Sequence, residues 1–117
     1  MELLIAVIGD PDRTDEILAG FIELGITGAT ILESEGMGRA LSREMPHFAG
    51  LQSLISRSRP RNQTVFSVID DPERADRAIQ LIQRVCGGLS EPGTGIAFTV
   101  PVSRVVGLAA EFHDPAD

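Results

Sequence analysis

The sequence predicts an α+β fold in which two helices cover one face of a four-stranded sheet. Two observations lead to this prediction. Residues 7–15 (VIGDPDRTD) recur 61 positions later as residues 68–76 (VIDDPERAD), without a gap. Strand-type and helix-type patterns also follow one another in the order strand, helix, strand, strand, helix, strand. Because an internal repeat identifies the structural unit and its number of copies, we expect two related strand-helix units.

Each copy of the repeat predicts the end of a strand and the start of a helix. An apolar run ends directly before Asp10 in the first copy and before Asp70-Asp71 in the second. Asp10 and Asp71 are expected to cap the helices by accepting a backbone N–H. The proline after each cap stands at the first helical position, where a missing N–H costs nothing.

Apolar periodicity sets the other boundaries. The predicted strands cover residues 2–9, 27–34, 64–69 and 96–102, with 104–108 as an extension, and the predicted helices cover residues 11–24 and 72–85. This order is that of the split βαβ or ferredoxin-like sandwich. Pro101 indicates an edge position, or a break, in the last strand.

The first and third strands are apolar on both faces, although helices are expected on only one face of the sheet. A bare apolar face of several hundred Å² would cost many kcal/mol and favour aggregation, at ~25 cal/mol per Å². We therefore predict a homo-oligomer. The sequence pattern alone leaves a dimer and a closed trimer open.

Composition indicates one small domain. The chain has 117 residues and 43% hydrophobic content, so we expect a domain over residues 1–110 and a flexible tail at 111–117. No apolar run approaches the ~20 residues of a membrane span, and no signal-peptide pattern is visible, so we expect a cytoplasmic protein that does not insert into membranes. The single cysteine, Cys86, is interpreted as core filler.

Charge is distributed unevenly along the chain. The net charge of −7 argues against nucleic-acid binding. All ten basic residues are arginine, and five of them lie between positions 39 and 61, where the only acidic residue is Glu44. This stretch falls within residues 36–62, which lack a clear helix or strand pattern and are predicted to form a long basic loop. Such a loop is suited to docking an anion or an acidic partner, or it is a solvated surface loop.

Three segments carry a resemblance to a known family. They are residues 25–30 (GITGAT), 35–39 (EGMGR) and 93–98 (GTGIAF). Together with the long loop and the second Asp-Pro helix, they resemble the PII signal-transduction (nitrogen regulatory protein P-II) family over residues 2–108. The resemblance implies a trimer with an effector nucleotide in each cleft between subunits. It also implies that the long loop docks on a transporter or metabolic enzyme.

The candidate binding residues follow from glycines and from the resemblance. Glycines at such turns either let backbone N–H groups approach a phosphate or serve only tight-turn geometry. Arg39 is the best candidate anion ligand and Arg104 a second one. The predicted set comprises Thr30, Gly36, Met37, Gly38, Arg39, Gly88, Gly93, Thr94, Gly95 and Arg104.

The expected ligand is an adenine nucleotide (AMP, ADP or ATP) or a small anion. Ile96 stands where the family normally has a lysine that contacts the phosphates, and residues 107–111 contain no arginine where the family has a basic pair. The chain contains no lysine. Each lost charge-assisted contact costs ~1.5–3 kcal/mol, so binding of a triphosphate is expected to be weak.

Other functional classes have less support in the sequence. His47 and His113 are not placed beside a nucleophile or paired carboxylates, so we do not predict an enzyme. A trimeric metal-handling module like the CutA family is an alternative, although histidine and cysteine are scarce. Glu33 and Glu35 either bind a cation or are solvated charges. A scaffold that has lost ligand binding is a further alternative.

Overall fold

The computed structural model describes residues 1–44, 61–89 and 94–108. The elements are β1 (Glu2–Ile8), α1 (Pro11–Glu23), β2 (Thr30–Ser34), α2 (Met37–Glu44), β3 (Asn62–Ile69), α3 (Pro72–Val85) and β4 (Gly95–Pro101). The strands form one antiparallel sheet in the order β2-β3-β1-β4. Helices α1 and α3 pack on one face of this sheet and against each other. The predicted α+β, ferredoxin-like fold class is confirmed.

The core lies between the sheet and the two long helices. It contains the alternate residues of β1 and β3 that face the helices, together with the apolar stripes of α1 and α3. The largest fully buried side chains are Phe21, Leu4, Ile8, Ile17, Ile69, Ile82 and Val65. None of the helices in the described part of the chain is long and apolar enough to cross a bilayer.

The repeat in the sequence appears as internal two-fold symmetry. Oδ1 of Asp10 accepts the N–H of Asp12 at 3.0 Å, and Oδ1 of Asp71 accepts the N–H of Glu73 at 3.0 Å. Both predicted helix caps are therefore confirmed. In the register of β1 with β3, Ile5 lies opposite its own repeat equivalent, Phe66. The approximate two-fold axis thus passes between the two central strands.

The two long helices meet at another pair of repeat equivalents, Gly20 and Leu81. A Cβ atom on Gly20 would lie 2.5 Å from Cδ2 of Leu81. Any residue other than glycine at position 20 would therefore require the Leu81 side chain to move. At the end of α1, the Nε of Arg74 donates to the carbonyl of Leu24 at 3.0 Å. This bond satisfies a backbone carbonyl at the helix end and ties α1 to α3.

The structure corrects two sequence-based boundaries, at the start of β2 and at the end of β4. β2 begins at Thr30 rather than 27, and the carbonyl of Gly28 accepts a hydrogen bond from the Ser67 hydroxyl instead. The chain leaves the sheet after Pro101, so residues 104–108 do not extend β4. Within the sheet, β4 pairs only with β1, which confirms the predicted edge position of Pro101.

The predicted long loop, residues 36–62, begins with a helix, so the expectation that it lacks a clear element was wrong for this part. α2 is closed by a hydrogen bond from the N–H of Ala40 to the carbonyl of Gly36 at 3.1 Å and by an ion pair between Glu35 and Arg39. No other helix or strand of the described residues packs against α2. Residues 45–60 and the tail at 111–117 lie outside the described residues.

The sheet face opposite α1 and α3, called the open face here, carries apolar side chains on all four strands. The register aligns its side chains in rows, so that Ile5 lies between Phe66 and Phe98, and Val7 lies between Thr64 and Ile96. Its apolar members are Leu3, Ile5, Val7, Leu32, Phe66, Val68, Ile96, Phe98 and Val100. Ile96 is 57% exposed and Leu32 52% exposed. The predicted two-sided apolar character of the central strands is present, and no described element covers the open face.

β4 begins at a glycine that the backbone geometry requires. Gly95 has φ +135°, and a Cβ atom there would lie 2.1 Å from the carbonyl oxygen of Val7 in β1. Both the conformation and the close approach exclude other residues. Gly95 therefore has a structural reason to be glycine, whether or not a ligand approaches it.

Replacement of Gly95 by alanine is expected to destabilise the fold by about 2–4 kcal/mol, because the backbone of β1 or β4 must move. The free energy of unfolding is measured by urea denaturation. Gly28→Ala is the matched control, since a Cβ atom at Gly28 meets nothing within 4 Å. Equal stability of the two variants would contradict the close contact between Gly95 and Val7.

Candidate functional site

The candidate residues gather mainly at one end of the sheet, called the upper end here. β1 and β2 finish at this end, and β3 and β4 start there, because all neighbouring strands are antiparallel. The segment Gly36 to Arg39 follows β2, Thr94 directly precedes β4, and Gly95 is the first residue of β4. The N–H of Gly9, just after β1, donates to the carbonyl of Thr94 at 3.1 Å. The fold therefore places both glycine-rich turns at the upper end.

Within one chain these two turns do not adjoin. β2 and β4 are the two edges of the sheet, and β3 and β1 lie between them. At ~4.8 Å per strand, the turns are separated by about 14 Å. A ligand that contacts both must span this distance or reach them with help from another chain.

Arg39 stands in α2 and already contacts a carboxylate. Its Nε donates to Oε1 of Glu35 at 3.2 Å, and the two side chains are 39% and 29% exposed. Met37 is exposed and Gly38 is buried. Gly36 lies next to β3, where a Cβ atom would approach Nδ2 of Asn62 to 3.8 Å. The guanidinium that the sequence predicts as an anion ligand is thus held by an internal anion.

Three polar side chains on the open face lie directly below Gly36. The Ser34 hydroxyl donates to Oδ1 of Asn62 at 2.5 Å, and its oxygen lies 2.8 Å from Oγ1 of Thr64. This polar group is not among the candidate residues predicted from the sequence. Its signal is that Asn62 and Thr64 occupy alternate positions of β3 and so share one face with the apolar Phe66 and Val68.

Gly88 lies in the left-handed turn that follows α3. The backbone φ values are +74° at Gly87, +101° at Gly88 and +61° at Leu89. The N–H of Gly88 donates to the carbonyl of Gln83 at 2.7 Å, which closes the end of α3. The end of helix α3 therefore gives Gly88 a structural role that needs no ligand. Gly93 lies outside the described residues.

Two candidate residues lie far from the upper end. Thr30 is exposed in the edge strand β2, opposite Phe66 near the middle of the sheet. Arg104 is exposed and follows β4 at the lower end, where the N–H of Val102 donates to the carbonyl of Met1 at 3.1 Å. A seven-residue strand spans about 23 Å, so Arg104 does not meet Arg39 within one chain.

A shallow pocket of about 150 Å³ lies beside the start of β4 and is lined by Asp10, Arg13, Cys86 and Thr94. Burial raises the pKa of the Cys86 thiol, with Arg13 acting in the opposite direction. The Nε of Arg13 lies 3.9 Å from Oδ2 of Asp10, and its Nη1 lies 3.5 Å from Oε1 of Glu16. A thiol with a raised pKa is a poor nucleophile at neutral pH, in keeping with a packing role for Cys86.

The carboxylates considered for a cation are engaged elsewhere. Oε1 of Glu33 accepts from Nε2 of Gln63 at 2.8 Å, and Glu35 pairs with Arg39. Across residues 1–44, 61–89 and 94–108, no three histidine, cysteine, aspartate or glutamate residues come together as a metal site. His47 and His113 lie outside these ranges. The described residues thus lend no support to the metal-handling alternative.

Comparison with known proteins agrees with this geometry. None of the curated proteins compared matches the chain. The family model described as nitrogen regulatory protein P-II matches residues 1–111, which is nearly the whole sequence. Together with the ferredoxin-like sheet and the two glycine-rich turns at its upper end, this match shows that the chain belongs to the nitrogen regulatory protein P-II family.

Proposed function

We propose that the protein is a homotrimeric cytoplasmic regulator. It binds a small effector, an adenine nucleotide or a small anion, in the clefts between subunits. Through residues 36–62 it controls a transporter or a metabolic enzyme. Membership of the P-II family supports a regulatory role rather than an enzymatic one.

The open face is the observation that carries this proposal. Nine apolar side chains line it, and a single chain leaves them in contact with water. Covering such a face with a second copy removes apolar surface at ~25 cal/mol per Å². Members of the family are generally trimers, and a closed ring lets each copy cover part of its neighbour's face.

Assembly also supplies a reason for the dispersed binding residues. Gly36 and Arg39 lie at the upper end of one chain, whereas Arg104 lies at the lower end. In a trimer, Thr30 and Arg104 of one subunit are proposed to complete the cleft formed by the upper end of the next. The glycine-rich turns offer backbone N–H groups to a phosphate or another anion.

The segment that follows β2 is proposed as the partner-binding element. Its stretch from residue 39 to residue 61 carries five arginines and one acidic residue on a chain with net charge −7. An acidic surface on the target is the complementary partner. Arg39 lies in the first turn of α2, with which this segment begins. Effector binding at Arg39 would therefore change the conformation of the segment itself.

An effector is expected to raise the thermal stability of the protein. AMP, ADP, ATP and bicarbonate are tested separately by thermal shift, and one present at 100 times its dissociation constant should add ~2.7 kcal/mol. Arg39→Ala should remove the shift, whereas Arg77→Ala, an exposed arginine in the middle of α3, should retain it. Absence of a shift with all four compounds would contradict the proposed effector site.

A charge on the open face is expected to dissociate the oligomer. Ile96→Glu places a carboxylate where the proposed interface is apolar, and it forfeits ~1.5–3 kcal/mol of burial per subunit. Ile22→Glu is the matched control, because Ile22 is 67% exposed on α1 and Ile96 is 57% exposed. Molar mass is measured by light scattering, and folding by circular dichroism. Equal masses for both variants and the wild type would contradict this interface.

A further inference from the structure

Glu35 places a carboxylate against the guanidinium of Arg39, the residue proposed to bind an anionic effector. The contact between Nε and Oε1 is 3.2 Å long. Among the ion pairs of the described residues, Glu35 has the least exposed carboxylate, at 29%, whereas Asp10, Glu16 and Asp70 are 43–58% exposed. The pair is therefore screened by water less than the others.

Glu35 also lies at the start of a helix. It directly precedes Gly36, whose carbonyl accepts the N–H of Ala40 in the first turn of α2. A negative charge at the start of a helix is stabilised by the helix dipole. A helix start flanked by glycines and an arginine is also what a phosphate uses. The charge of Glu35 therefore lies close to the arginine and to the helix start that the proposed effector would use.

We infer that Glu35 is an internal competitor for Arg39 and that it determines the charge of the effector. This inference rests on the proposed effector site. An incoming anion must displace the carboxylate from the guanidinium or bind beside it. In either case the repulsion grows with each negative charge on the ligand. The site accordingly favours a ligand of low charge, such as a nucleoside monophosphate, over a triphosphate.

The neighbouring carboxylate, Glu33, provides an internal control. It lies two residues before Glu35, but its Oε1 accepts from Nε2 of Gln63 at 2.8 Å. It belongs to the face of β2 opposite Ser34 and Leu32. Removal of the charge of Glu33 changes the net charge of the chain by the same amount and leaves the contact at Arg39 intact.

The test measures dissociation constants of AMP, ADP and ATP by calorimetry for the wild type, Glu35→Gln, Glu33→Gln and the double variant Glu35→Gln/Arg39→Ala. Glutamine has the size of glutamate, and thermal melting checks that each variant folds. Glu35→Gln should bind ATP about fivefold more tightly than the wild type, with a smaller gain for AMP. Glu33→Gln should change each dissociation constant by less than about twofold. The double variant should lose the tighter ATP binding expected of Glu35→Gln, because the guanidinium is absent.

Two results would overturn the inference. If the wild type binds a nucleotide and Glu35→Gln leaves the ratio of the ATP and AMP constants unchanged, Glu35 does not select the ligand, although the effector site stands. If neither the wild type nor Glu35→Gln binds any of the three nucleotides, the nucleotide site and the inference fail together. Binding that appears only in Glu35→Gln would support the inference.

Discussion

The architecture depends on one constraint, which is that β1 and β3 are apolar on both faces while α1 and α3 cover only one of them. The covered face forms the core of the chain. The open face carries comparable side chains, including Phe66 and Phe98, that remain in contact with water. The hydrophobic effect therefore favours association with other copies, and it does so along the whole width of the sheet. The proposed assembly thus follows from the two-sided apolar character of the central strands.

The internal repeat explains why the candidate site lies at the upper end. Each strand-helix unit ends its strand at an Asp-Pro helix start, and the two-fold axis between Ile5 and Phe66 sets the units in opposite directions. The connections after β2 and before β4 then lie at the same end of the sheet, where β1 ends and β3 starts. One turn contributes Arg39 and the other contributes Gly95, which is fixed by its contact with β1. The site is divided because the sheet places these turns on opposite edges.

Much of the fold was predictable from local signals. Helix α3 begins and ends where the apolar stripe and the Asp-Pro cap indicated, because cap chemistry acts within a few residues. Helix α2 was missed because eight residues give too short a pattern and glycines at 36 and 38 argue against a helix. The pair between Glu35 and Arg39 and the polar group around Ser34 were also missed. Both depend on which side chains the backbone brings together, and the second one joins residues that are far apart in sequence.

Association of chains through their open faces is tested by the molar mass of the wild-type protein, measured by sedimentation equilibrium at micromolar concentration. One chain has a mass of 12.5 kDa. If copies cover each other's open faces in a closed trimer, the mass should be three times this value and should not change on moderate dilution. A single stable species with the mass of one chain would contradict this association, because the open face would then stay exposed to water in a stable monomer.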